Sequence, residues 1–309
     1  MILTVTPNAA VDVTIRVEDA AWGESNRVRP STRRAGGKGL NVSRVLSQMH
    51  EDTRAITAVG QDDLAFFSRD LVGVPHALVP APGVRTRRSL AIVEDPGARR
   101  VTLFNEVGQA MSDAVWEGVL AEADASIGAA RCLVVAGSTP PEFVPDRLRT
   151  LFRLAVGAGV PAIADLSGPD LLVAADCRAT LLKPNRRELQ EATGQNDPVT
   201  AAKTLIDRGA RAVLVSLGEE GMLFVGSERD SVVRGRGPLV RGNPTGAGDA
   251  AVASLAGHLA QGITDPETLV VRAIAWSTSS VSAPEAGSLS GDLAPILADI
   301  TLHHVRSIA

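Results

Sequence analysis

Lysine is nearly missing from this chain. Of 31 basic residues in 309, only three are lysine: Lys38, Lys183 and Lys203. Arginine serves almost everywhere a generic cation would do, so each surviving lysine stands out as a compact ammonium. Cysteine is equally sparse. Cys132 and Cys177 lie in or beside apolar runs, with no Cys-x-x-Cys spacing and no nearby histidine. That pattern excludes a disulfide scaffold and a zinc site and fits a reducing, cytoplasmic setting. His50, His76, His258, His303 and His304 are scattered without ligand spacing. No run approaches the ~20 apolar residues of a membrane span, and the first residues lack the basic start and long apolar stretch of a signal peptide. No membrane partner is therefore expected. Excess positive charge is absent too. The net charge is −4, so no nucleic-acid-binding face is expected, and an anionic ligand would need a local cationic pocket. Internal repeats and low-complexity linkers are also lacking.

Apolar residues make up 45% and charged residues 21%, the balance of a globular protein able to bury a sizeable core. ILTVT (2–6) reads as a buried strand that turns at Pro7-Asn8. VDVTIRV (11–17) alternates, so one face is polar. RRSLAIVED (87–95) and RRVTLFNE (99–106) flank Pro96-Gly97-Ala98 as a hairpin. Between these strands, GKGLNVSRVLSQMH places Leu40, Val45, Leu46 and Met49 on one helical face. From about residue 110 short apolar strands alternate with helices: CLVVAG (132–137), PAIADL (161–166), AVLVSLG (212–218). This predicts an α/β fold with a mostly parallel sheet covered on both faces, and ligands bound outside the carboxyl ends of its strands. The early strands, about 11–35 and 87–106, read as a separate small sheet or lid within a single domain spanning 1–309.

Three segments carry chemistry. In NPTGAGDAAVASLAGHLAQG (243–262), Gly246 and Gly248 flank a turn and a small-residue helix follows. Free amides at its N-terminus, those of Ala247, Gly248 and Asp249, suit a transferring phosphoryl group. Asp249, in the first turn, could take a proton from an attacking hydroxyl, or could simply cap the helix. In RRAGGKGLNVSRVL (33–46), Gly36, Gly37 and Gly39 surround Lys38, and Asn41 falls in the first helical turn. The spacing is not that of a Walker A loop, but strand, glycine turn, lysine and helix still suit an anion; a tight turn with a solvated lysine is the alternative. In LLKPNRRELQE (181–191), Asn185 and Glu188 share a helix face. Local physics favours a helix cap with a capping-box Glu; the functional alternative is an oxygen pair for hydrated Mg²⁺ beside ATP phosphates. Asp12, on a polar strand face, could accept hydrogen bonds from sugar hydroxyls, or be merely solvated. Arg88 starts a lid strand.

Taken together, these motifs resemble the PfkB/ribokinase family of carbohydrate kinases across about residues 1–290. TPNAAVDVT resembles the family's opening strand with its sugar-binding acid, and AGGKGLNVSRVL its first signature. AGSTPP (136–141) resembles its SGS-P-P turn, LLKPNRREL its Asn-x-x-Glu region, SLGEEG its nucleotide-side turn, and PTGAGDA its second signature. Thr139 stands where a Leu is more usual, and Pro244-Thr245 where Ser-Val is frequent. TPNAAVD, GESNR, GGKGLNVSRVL and FNEVG resemble the 1-phosphofructokinase and tagatose-6-phosphate kinase branch. The resemblance implies a ribokinase-like three-layer sandwich with a β-sheet lid, ATP and Mg²⁺, and a sugar phosphate as substrate. It implies Asp249 as base beside the amides of Gly246, Ala247 and Gly248, and Mg²⁺ near Glu188 through water. Substrate contacts fall on Asp12, Gly37, Lys38, Asn41, Arg88 and Ser138, with Lys38, Asn41 and Arg88 on the sugar's phosphate. Nucleotide contacts fall on Lys183, Asn185, Ser216, Gly218 and Gly221. An exposed lid edge could serve a homodimer. A Rossmann oxidoreductase is disfavoured because no GxGxxG follows the first strand. A kinase of an unphosphorylated sugar or nucleoside, and a non-catalytic regulator, stay open.

Overall fold

The computed structural model describes residues 1–94, 100–227, 232–283 and 285–304. Seven parallel strands form the heart of one ten-stranded sheet. From one edge they are β5 (His76–Ala81), β4 (Thr53–Gly60), β1 (Ile2–Thr6), β8 (Cys132–Ala136), β9 (Ala162–Asp165), β10 (Leu181–Leu182) and β11 (Ala212–Ser216). Three antiparallel strands extend the far edge: β12 (Met222–Gly226), β13 (Val232–Arg236) and β14 (Thr301–His304).

The sheet is buried on both sides, which is why its strands read as unbroken apolar runs. Alternate residues serve opposite cores. Leu3, Val5, Leu133 and Val135 pack under helices α3 (Asp113–Ile127) and α4 (Asp146–Gly157), and that core continues under α5 (Pro169–Asp176), α6 (Arg186–Thr193) and α7 (Pro198–Asp207). Ile2, Cys132 and Val134 pack under α1 (Lys38–Gln48), α8 (Ala247–Ala260) and α9 (Pro266–Val281), with partly buried side chains of α10 (Leu293–Ala298) joining them. Helix α8 is built almost wholly of small buried residues, so it sits against α1 and α9 without bulk between them.

A second sheet has the order β3 (Thr32–Gly36), β2 (Ala10–Val17), β6 (Arg87–Glu94), β7 (Arg100–Asn105). Strands β2 and β6 are parallel, and β6 pairs antiparallel with β7 as the predicted hairpin requires. The predicted turn at Pro96-Gly97-Ala98 lies outside the described residues. One face of this lid rests on a third core with Val11, Ala35 and Leu40, completed by Phe67 of the short helix α2 (Leu64–Asp70). The order of the large sheet reverses between β1 and β8, so a crevice opens at their carboxyl ends. The lid lies next to that crevice because its strands β2 and β3 are spliced between β1 and α1, and β6 and β7 between β5 and α3.

Candidate active site

Five strand ends deliver the site. Beyond β1 lie Pro7 and Asn8, beyond β8 Gly137 and Ser138. Strand β9 ends on Asp165, β10 runs into Lys183 and Asn185, and β11 into Ser216 and Gly218. Helix α8 points its N-terminus at them. Its cap, Gly246, has φ 89°, a left-handed turn that a side chain would strain, and an added Cβ would lie 3.0 Å from Ala286 Cα. The Ala247 amide donates to the Pro244 carbonyl at 3.2 Å, and those of Gly248 and Asp249 are left free to face an anion.

Asp249 in that first turn is 6% exposed. Its Oδ2 accepts a hydrogen bond from Asn41 Nδ2 at 2.8 Å. Burial and the nearby Asp165 charge raise its pKa from 3.8 to about 7, opposed by Lys38, the Asn41 bond and Lys183. A carboxylate poised near neutrality is matched to general-base work, whereas a mere helix cap would be exposed and acidic.

The rare lysines converge. Lys38 Nζ donates to Asp165 Oδ1 at 3.1 Å and lies 3.6 Å from Glu188 Oε1. Lys183 Nζ lies 3.6 Å from the same Asp165 oxygen, and 3.3 Å from where a Cβ on Gly248 would stand. Burial pulls the Lys38 pKa down, but Asp165, Glu188 and Asp249 more than offset it and the net shift is upward. Burial pushes Asp165 up; the two ammoniums outweigh that and hold it below the usual carboxylate range. Lys38 therefore stays cationic beside Asp165 and Asp249. Asp165 Oδ2 is buried with no protein partner. Sequence reading passed over Asp165, whose only signal is an acid ending an otherwise apolar strand.

The capping box is real. Asn185 Oδ1 accepts from the Glu188 amide at 2.8 Å, and Glu188 Oε2 accepts from the Asn185 amide at 2.9 Å. Glu188 Oε1 still faces Lys38, so local capping and a role in the site coexist. A cleft of about 990 Å³ opens beside these groups, with Asn185, Ser216, Gly218, Gly221, Ala247 and Gly248 in its wall. Leu239 and Val240 give it an apolar flank.

Lys38, Asn41 and Arg88, expected together on one phosphate, have other neighbours in the structure. Asn41 is bonded to Asp249, and Lys38 to Asp165. Arg88 pairs with the core-facing Val11, which puts its side chain on the opposite face from Asp12. The neighbouring Arg87 lies on the Asp12 face. Its Nε donates to the Asn8 carbonyl at 3.1 Å. Asn8 Nδ2 in turn reaches Ser138 Oγ at 3.5 Å. Arg87 also lines a second cavity of about 370 Å³ with Arg85, Glu106 and Gly108. Burial lowers the Arg87 pKa while Asp12 and Glu106 raise it, and a guanidinium there keeps its charge. Asp12 itself is raised from 3.8 to about 6 by burial, against Arg87, Arg34 and Arg44. Gly37 is the cap of α1, at the turn that delivers Lys38.

Two cationic places thus flank a buried carboxylate: lysines beside free amides, and an arginine beside Asn8 and Ser138. The comparisons agree with a phosphoryl-transfer site. Residues 5–290 match the model of the pfkB family of carbohydrate kinases. A 1-phosphofructokinase of Xanthomonas campestris is 32% identical over 303 residues, 92% of each chain. A D-tagatose-1-phosphate kinase of Bacillus licheniformis is 28% identical, covering 91% of this chain and 93% of its own. Phosphofructokinase-2 from Escherichia coli, solved with fructose-6-phosphate, superposes with a TM-score of 0.84 at 26% identity, covering 96% of this chain and 98% of its own. The chain belongs to the pfkB family of carbohydrate kinases.

Proposed function

We propose that the chain transfers the γ-phosphoryl group of ATP to a free hydroxyl of a ketohexose 1-phosphate, with fructose 1-phosphate giving fructose 1,6-bisphosphate. The observation that carries this reading is the separation of the two cationic places. A kinase needs one for the moving phosphoryl group; a second, at Arg87 and Ser138, is called for only when the sugar already bears a phosphate. The relatives named for 1-phosphates favour that position over the 6-phosphate.

In this reading ATP lies in the large cleft along Asn185, Ser216, Gly218 and Gly221. Asp12 orients sugar hydroxyls. Asp249 takes the proton of the attacking hydroxyl. The amides of Gly248 and Asp249, with Lys38 and Lys183, hold the charge of the transferring group, so catalysis rests on positioning and electrostatics. Glu188 Oε1 and the unpartnered Asp165 Oδ2 are oxygen donors suited to Mg²⁺, which prefers to be held through its own waters. The ion supplies charge neutralisation to the polyphosphate. Free Cys132 and Cys177 fit a cytoplasmic setting. The lid exposes Trp22, Val28, Leu103 and Phe104, an apolar surface that suits a second copy of the chain.

The test is a substrate panel with ATP: fructose 1-phosphate, tagatose 1-phosphate, tagatose 6-phosphate, fructose 6-phosphate and free fructose. Fructose 1-phosphate is expected to give the highest kcat/KM. Equal turnover of free fructose would refute the phosphate pocket.

A further inference from the structure

Arg34 stands on the lid, but its hydrogen bond crosses to the other side of the site. It is the register partner of Asp12 between β3 and β2, so both side chains share the face turned to the crevice. Its Nη1 donates to the Ala286 carbonyl at 2.9 Å and lies 2.9 Å from Glu285 Oε2. The neighbouring guanidinium, Arg44, is committed instead to Asp70 and the Ala35 carbonyl.

The turn that Arg34 holds, 285–287, is packed against two parts of the catalytic apparatus. Ala286 is the neighbour that a Cβ on Gly246 would meet at 3.0 Å. A Cβ on Gly287 would fall 3.0 Å from Asn41 Oδ1. One turn therefore bears on the left-handed residue that opens the free amides and on the amide side chain that holds Asp249. At the same time Arg34 is one of the cations that bear on Asp12.

We infer that Arg34 is a positioning residue, which fastens the 285–287 turn to the lid and so ties the sugar-side Asp12 to the Gly246 turn and the Asn41–Asp249 pair. An ion pair whose members are 25% and 36% exposed adds little to global stability. Its worth lies in geometry, where a small misplacement of amides or base lowers the rate of transfer. The kinetic consequence rests on the kinase reading above; the structural one does not.

The experiment is a double-mutant cycle with Arg34→Ala, Glu285→Ala and the pair, followed by kinetics and hydrogen exchange. Each single change is expected to lower kcat about 10-fold, with smaller effects on KM, and the double variant to fall within about 2-fold of the worse single. Arg34→Lys should recover part of kcat. Glu285→Ala is decisive because Glu285 is not among the charges that bear most on Asp12. Wild-type kcat in that variant, or losses that multiply to about 100-fold in the double, would overturn the inference. The second readout needs no sugar. The hydrogen-bonded amides on either side of the tie, those of Ala247 and Ala250 on the Pro244 and Gly246 carbonyls and that of Leu289 on Gln48 Oε1, should exchange about 10-fold faster in either single variant. Unchanged exchange overturns the inference whatever the substrate proves to be. Faster exchange in a protein that phosphorylates none of the sugar phosphates would leave the tie standing and remove the functional reading instead.

Discussion

Replacing Asp249 by Asn separates what the buried carboxylate does for catalysis from what it costs the fold. Asp249 titrates near 7 in the folded chain, against 3.8 for an ordinary Asp. A raised folded-state value means that the native state holds the proton more tightly than the unfolded one. The stability this confers is complete below the unfolded value and is lost as the pH climbs through about 7. Above that, the wild type carries a desolvated charge at a cost of up to about 4 kcal/mol, three pH units at ~1.36 kcal/mol each. Asn keeps the shape, and its Oδ1 can still accept from Asn41. That figure is already net of the attraction of Lys38 and Lys183, so the expected gain is a few kcal/mol, up to about 4. In thermal unfolding at about pH 8.5 the Asn variant should melt several degrees above wild type. At about pH 5 the native carboxyl is protonated but the unfolded one is still ionised, so the difference should fall to roughly a third, and it should vanish only below about pH 3.8. Turnover should fall roughly 1,000-fold at about pH 8.5, as expected for loss of a general base, and far less at about pH 5, where the wild-type base is itself protonated. The wild-type kcat/KM should itself rise with pH through a midpoint near 7. An Asn variant with no pH-dependent gain would refute the desolvated carboxylate. One with near-normal turnover would refute the base.

The reassignment of the cations predicts a contrast. Arg87→Ala should raise KM for the sugar phosphate about 30-fold or more while leaving KM for ATP nearly unchanged, whereas Arg88→Ala should do neither; Lys38→Met should lower kcat about 100-fold with little effect on sugar-phosphate KM. Steady-state kinetics on the three variants checks it, and a large Arg88 effect would reverse the assignment. If a second copy covers the lid, Phe104→Ser should shift sedimentation from dimer to monomer, and an unchanged profile in a wild-type monomer would dismiss that partner.

The fold was legible where burial leaves a one-dimensional trace. Continuous apolar runs announced β1, β8 and β11, and the glycine turns announced the starts of α1 and α8. Between residues 52 and 86 the sequence predicted no element, yet β4, α2 and β5 lie there. Strand β4, TRAITAVG, has small and hydroxylated residues; it is buried because β1 and β5 flank it, a tertiary fact. The lid arginines show the same limit in another form. Arg87 and Arg88 are adjacent and identical in type, so nothing local says which one faces the crevice. The register of β6 against β2 decides, and that pairing joins segments 77 residues apart.

Lys38 shows how a sequence signal can leave its ion-pair partner unnamed. Its rarity and its glycine turn marked it as functional, but its counter-charge comes from Asp165, 127 residues away, and no spacing reveals that. The geometry also gives the scarcity of lysine a physical meaning. Two of the three lysines point at a single buried carboxylate oxygen, at 3.1 and 3.6 Å. Lys183 does so while lying close over the first turn of α8, 3.3 Å from where a side chain on Gly248 would begin. A planar guanidinium is wider and presents its donors as a fixed fork, whereas an ammonium is a compact point with three rotatable donors. Two forks could not meet one oxygen beside a helix end without displacing either the carboxylate or the amides. Where arginine would serve, as at Arg87 with an open cavity beside it, the chain uses arginine. Where two cations must share one anion beside a helix end, it keeps lysine.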